Sequence, residues 1–202
     1  MRWVRPATTG EVIAALRAAS TDGQDPRLRA LVALLSFAGL RLGEARALRW
    51  DQVWSLDRGV YKDTIFLEAS QAKGGRRRAV PRHRSLSRHL DPLRSLDPLQ
   101  GSGSLPVLAN GDGSPWSHWA ASRALRRLLD DHVERGPELA AHSFRKRFGT
   151  DIARHRPINE VRVLLGHREL RTTQRYLADP GRELRDAVSV LEDSPEPAPV
   201  SP

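Results

Sequence analysis

The segment from Asp25 to Gly39 constrains this 202-residue chain more than any other, because it carries the signals for both ends of a helix. Asp25-Pro26 joins a side chain that caps a helix start to a proline suited to the first turn, where a missing N–H costs nothing. Leu28, Leu31, Val32 and Leu35 follow at helical spacing, and Gly39 offers the left-handed conformation that ends a helix. The longest apolar stretch, 30–40, is broken by Ser36 and flanked by Arg29 and Arg41. It falls far short of the ~20 residues a membrane span needs. The first six residues also lack the apolar region of a secretory signal, so a soluble, cytoplasmic protein with no membrane partner is expected.

Other elements follow from similar signals. Thr8-x-x-Glu11 is a capping box that opens a helix over 9–20 through Val12, Ile13, Leu16 and Ala19. A short helix is expected over 44–48. Between Tyr61 and Pro81 the pattern turns to strands, Thr64-Ile65-Phe66-Leu67 and Ala79-Val80, joined through Lys73-Gly74-Gly75 and the arginines 76–78 as a hairpin with a basic tip. A helix over 86–93 and a loop over 97–115 come next. From Trp116 the chain is helical again, with Trp119, Leu125, Leu128, Leu129 and Val133 on one apolar face. Further helices are expected over 144–153, 158–165, 172–177 and 183–191, punctuated by Pro157, Gly166 and Pro180-Gly181. The fold class is therefore mostly α with a small antiparallel β-sheet (α+β), one domain over 1–192 and a disordered, proline-rich tail over 193–202.

The chain has no cysteine, which excludes disulfide scaffolds and thiolate metal sites. Lysine and arginine number 33 against 24 acidic residues, a formal charge of +9. A polyanionic partner and an ordinary arginine-rich surface explain that charge equally well, so the positions of the cations must decide.

Breaking and remaking a phosphodiester without a metal requires a nucleophile, cations for the non-bridging oxygens and a proton donor for the leaving alkoxide. Arg41 directly follows Gly39-Leu40, with Glu44 three residues on. His142 and Arg145 are one helical turn apart and can face one pocket. His167 follows Leu165-Gly166 as an exposed histidine at a helix end, and Tyr176 lies nine residues later. A free phenol has a pKa of about 10, so only about one in a thousand is ionised at neutral pH and a cationic field is needed. Arginines fit a phosphate through paired, charge-assisted bonds of about 1.5–3 kcal/mol each. Singly, each residue has a plainer reading: Tyr176 as a packing tyrosine, His167 as a cap contact, His142 as a surface group and Lys73 as part of a solvated turn. Tyr61, the other of the two tyrosines, has no such surroundings. No His-x-x-x-His pair or carboxylate cluster suggests a metal.

Taken in order, Gly-Leu-Arg-x-x-Glu, the hairpin lysine, His-x-x-Arg, Leu-Gly-His and the late tyrosine resemble the tyrosine recombinases, or phage integrases, over 37–177. Lys146 stands where that family often has a second histidine. The resemblance implies a site-specific enzyme that cuts and rejoins duplex DNA through a 3′-phosphotyrosine on Tyr176, with no cofactor. It implies that Arg41 and Arg145 hold the phosphate, that His142 and His167 assist, that Lys73 protonates the leaving oxygen, and that Glu44 braces the pocket. Arg76, Arg77 and Arg78 are expected to touch DNA near the cut. The partner implied is double-stranded DNA, with assembly into dimers and tetramers on it. A separate N-terminal clamping domain, for which there is no room before Thr8, or a partner protein is expected to complete the grip. A non-catalytic DNA-binding or regulatory homologue and a type IB topoisomerase are the alternatives, separated by covalent-adduct and strand-exchange assays.

Overall fold

A computed structural model describes residues 4–21, 23–71, 77–96 and 103–167 of the chain. Lys73, Arg76 and Tyr176, the helices expected over 172–177 and 183–191, and the tail lie outside the described residues.

Helix α1, Thr9–Ala18, begins with the capping box: the Thr8 hydroxyl accepts from the Glu11 amide and the Glu11 carboxylate accepts from the Thr8 amide. Helix α2, Pro26–Phe37, is capped by the Asp25 carboxylate. Residues 30–35 of α2 are all 0% exposed, so it is apolar all round, and it packs against α1 and the helices given below as α3, α5, α6 and α7. Gly39, at φ +58°, ends it. A Cβ there would stand 2.3 Å from the Phe148 ring.

Short helices α3, Leu42–Ala47, and α4, Trp50–Val53, follow. Where the sequence predicts one hairpin, there are two antiparallel pairs among the described residues. Strands β1, Trp54–Ser55, and β2, Val60–Tyr61, form the pair that sequence patterning did not reveal, because two residues are too few for a periodicity. The expected pair is β3, Thr64–Leu67, with β4, Arg78–Pro81, in the register Ile65↔Val80 and Leu67↔Arg78. Side chains alternate across this ladder, so Ile65, Leu67, Arg78 and Val80 point inward while Phe66 is 60% exposed.

Helices α5, Ser87–Leu96, and α6, His118–His132, come next, and the Ser117 hydroxyl caps α6. Leu125, Leu128, Leu129 and Val133 are buried as expected, but Trp119 is not. The buried stripe begins at Ala121, and a residue two places earlier lies on the opposite side of the helix. Trp119 is 68% exposed, with the Arg123 guanidinium over its ring.

A 3-10 turn, Gly136–Glu138, leads to α7, Ala141–Ala153, and then to α8, Ile158–Leu165, which ends at Gly166 in the left-handed region. The first described residues lie across α7. The Ala7 amide donates to the Ser143 carbonyl and Lys146 Nζ to the Val4 carbonyl, while Arg5 pairs with Glu11 and Glu138. Among the described residues no helix is long and apolar enough to cross a membrane.

Candidate active site

The site is organised by a buried carboxylate. Arg41 is the last extended residue before α3, and its backbone amide donates to Glu44 Oε2 and its Nη1 to Glu44 Oε1, both at 2.7 Å. One turn of helix thus folds Glu44 back under Arg41. Glu44 is 1% exposed. Burial alone would raise its pKa, but the charges of Arg78, Arg145 and Arg41 hold it below the usual carboxylate range.

Helix α7 packs against α2 and brings in Arg145, which is wholly buried. Arg145 Nη1 donates to the Gly39 carbonyl at 2.5 Å and reaches Glu44 Oε2 at 3.5 Å, while Nη2 donates to the Leu165 carbonyl and lies 3.4 Å from His167 Nε2. The turn that ends α2 and the end of α8 are therefore held by one guanidinium. The close fit of Gly39 under Phe148 brings this carbonyl within reach of α7.

His167 was expected to be exposed and is instead 7% exposed. The left-handed Gly166 turns the chain back after α8, so the His167 amide donates to the Arg162 carbonyl and the ring folds toward Arg145. Burial, then the charges of Arg145 and Arg41, push its pKa down to about 3. His142, one turn before Arg145, is more open to solvent, and desolvation by its neighbours, then Arg145, Lys146 and Arg41, lower its pKa too. Both imidazoles are neutral at neutral pH and suited to hydrogen bonding; their lowered pKa values make them weak proton acceptors, and an anion beside the arginines would raise them.

Arg41, Glu44, His142, Arg145 and His167 thus come together from α3, α7 and the end of α8. The Arg41 side chain is 24% exposed, so Arg41 and His142 are the members of this group that face solvent. Of the three arginines assigned to DNA contact, the two among the described residues, Arg77 and Arg78, differ in environment. Arg77 points outward, its side chain 80% exposed and paired with Glu68 at 2.9 Å. Arg78 turns inward and is no surface contact: Nη2 donates to Glu44 at 2.7 Å, and Nη1 donates to the Leu165 carbonyl that Arg145 also uses. The reason is strand parity, because Arg78 shares the buried face of β4 with Val80. Tyr61 donates its hydroxyl to Asp91 at 2.8 Å, and burial and that carboxylate raise its pKa, the opposite of what a nucleophile needs.

The model of the phage integrase family matches residues 7–181. A putative integrase/recombinase, y4rF, of Sinorhizobium fredii is 33% identical over 161 residues, covering 75% of this chain and 35% of that protein. The tyrosine recombinase XerC of Xylella fastidiosa (strain M23) is 34% identical over 155 residues, covering 74% of this chain and 48% of that one. The chain therefore spans less than half the length of these relatives. In fold it is similar to the XerA recombinase, with TM-score 0.70, 20% identity and coverage of 96% of this chain and 68% of that one. It is also similar to a lambda integrase dimer bound to a core site, with TM-score 0.63, 20% identity and coverage of 90% and 62%.

Proposed function

The chain belongs to the phage integrase family, and from that premise we propose that it is the catalytic part of a site-specific recombinase that breaks and rejoins duplex DNA. The observation that carries the proposal is the gathering of Arg41, His142, Arg145 and His167 around the buried Glu44. The Tyr176 hydroxyl attacks the scissile phosphorus, a bond forms from the phenolic oxygen to phosphorus, and the bond to the 5′ oxygen breaks. The phenolic proton passes to a neutral imidazole, for which the more open His142 is the better placed. Lys73 gives a proton to the departing 5′ oxygen. A 5′ hydroxyl from another strand then reverses the step, and the phosphodiester energy is kept in the tyrosyl link, so no nucleotide cofactor is consumed.

Arg41, at the solvent face, meets the phosphate directly. Arg145 is enclosed and contributes through its charge and by fixing His167; it reaches an oxygen once its neighbours draw back. Double-stranded DNA as partner and assembly into dimers on it are supported by the lambda integrase dimer on its core site and the XerH recombinase bound to its difH substrate, and tetramers belong to the same proposal. A clamping domain or partner protein for the far face of the duplex, and action in the cytoplasm where DNA is at hand, belong to the same proposal.

The experiment is incubation with a pool of nicked random-sequence duplexes, followed by denaturing electrophoresis. A protein–DNA adduct is expected with the unaltered chain and none with Tyr176→Phe; sequencing the trapped DNA gives the target. An adduct that survives in Tyr176→Phe, or no adduct on the proper site, rejects the assignment.

A further inference from the structure

We infer that Arg78 is a positioning residue that neutralises Glu44, leaving the charges of Arg41 and Arg145 available to a bound phosphate. The inference rests on the phosphate-handling role proposed above.

Arg78 and Arg145 share the same acceptors. Each guanidinium reaches Glu44 Oε2, at 2.7 Å and 3.5 Å respectively, and each donates to the Leu165 carbonyl. The carboxylate, the carbonyl and the two guanidiniums close a ring that joins β4, α3, α7 and the end of α8. Arg78 holds the tighter of the two contacts with Glu44. Its side chain is 5% exposed, so its charge is spent on this pocket and not on solvent. Its Nε meets no acceptor among the described residues, so its pairing runs through Nη1 and Nη2 alone. Gly166 makes room for it: a Cβ at that position would stand 3.0 Å from Arg78 Cδ and Nη1. The glycine of Leu-Gly-His therefore both ends α8 and admits the Arg78 side chain.

The charge balance explains why the pocket needs a third arginine. Arg41, Arg78 and Arg145 are positive, Glu44 is negative, and the two histidines are neutral at neutral pH. Two positive charges remain in excess. Without Arg78 the carboxylate that braces Arg41 would cancel one of the charges that hold the phosphate, leaving a single excess charge. Arg78 allows Glu44 to be a brace without being a competitor.

The test uses the full chain and inorganic phosphate, with binding followed through the imidazole proton signals of His142 at the mouth of the pocket. Arg78→Met is expected to weaken phosphate binding by about tenfold, the effect of one unit charge a few ångströms away at an intermediate effective dielectric. Arg78→Lys keeps the charge and is expected to bind within about threefold of the unaltered chain. Arg78→Met binding as well as the unaltered chain, Arg78→Lys as weak as Arg78→Met, or an unaltered chain with no saturable phosphate binding would each overturn the inference. If Arg78→Met does not fold, Arg78→Gln takes its place: charge balance requires this neutral variant to bind about tenfold more weakly than Arg78→Lys. The adduct assay separates this from the function itself. The expected phosphate pattern without an adduct rejects the recombinase reading alone, and an adduct without the pattern rejects the role of Arg78 alone.

Discussion

Glu44 accepts hydrogen bonds from Arg41, Arg78 and Arg145 with almost no water in reach, so its removal leaves buried guanidiniums uncompensated. Glu44→Ala is expected to destabilise the fold by about 3–5 kcal/mol, read from the shift of the denaturant midpoint at constant slope. His167 gives the stability a pH dependence of definite sign. Its folded pKa of about 3 lies below the ordinary value of 6.5, so the unfolded chain takes up the proton first. The stabilisation is complete above about pH 6.5 and is lost as pH falls toward 3, at about 1.4 kcal/mol per pH unit. Urea titrations between about pH 7 and 5 are expected to show that loss, and His167→Asn to remove its share of the slope, leaving the part due to His142 and His89, whose pKa values are lowered too; parallel curves for the two proteins contradict it. Arg41, Glu44, His142, Arg145 and His167 were all legible because each stands in a motif with fixed local spacing. Burial was not legible from spacing. The enclosure of His167 depends on the left-handed turn at Gly166, and the inward turn of Arg78 on which face of β4 the core covers.

Among the elements, the contrast between two glycines shows where the backbone is constrained. Gly39 has φ +58° and the Phe148 ring against its missing side chain, so Gly39→Ala combines backbone strain with overpacking between α2 and α7. A loss of about 2–5 kcal/mol is expected, measured as a drop in the thermal midpoint. Gly43, within α3, has no atom within 4 Å of the position a Cβ would take. Gly43→Ala is expected to leave the midpoint unchanged or raise stability by about 0.5–1 kcal/mol. Helices α1 and α2, with their capping signals, α8, bounded by Pro157 and Gly166, and α7 were readable to within a few residues. The β1–β2 pair and α4 were not, because elements this short are fixed by contacts such as the edge-on Trp54–Tyr61 ring pair. Trp119 shows the other failure: an apolar residue near a helix start was assigned to the buried stripe, although the rotation per residue places it on the far side.

For the molecule as a whole, the proposed function predicts a DNA affinity that falls with salt in proportion to the phosphates contacted, and the exposed Arg77 is proposed as one of the groups that contacts them. Arg77→Ala is expected to reduce the slope of log affinity against log salt by about 0.9, and an unchanged slope places Arg77 away from any phosphate. Composition alone could not have separated this from an ordinary basic surface; the order of the motifs along the chain did, and the family match over residues 7–181 agrees with it. The lacing of residues 4–7 onto α7 has a mechanical consequence. Whatever tugs on the chain at Val4 tugs through Lys146 and Ser143 on the very helix that presents His142 and Arg145, so a displacement there is felt as a lever rather than absorbed as slack. Lys146→Ala is expected to cut that leash, seen as faster hydrogen exchange of the Ala7 amide.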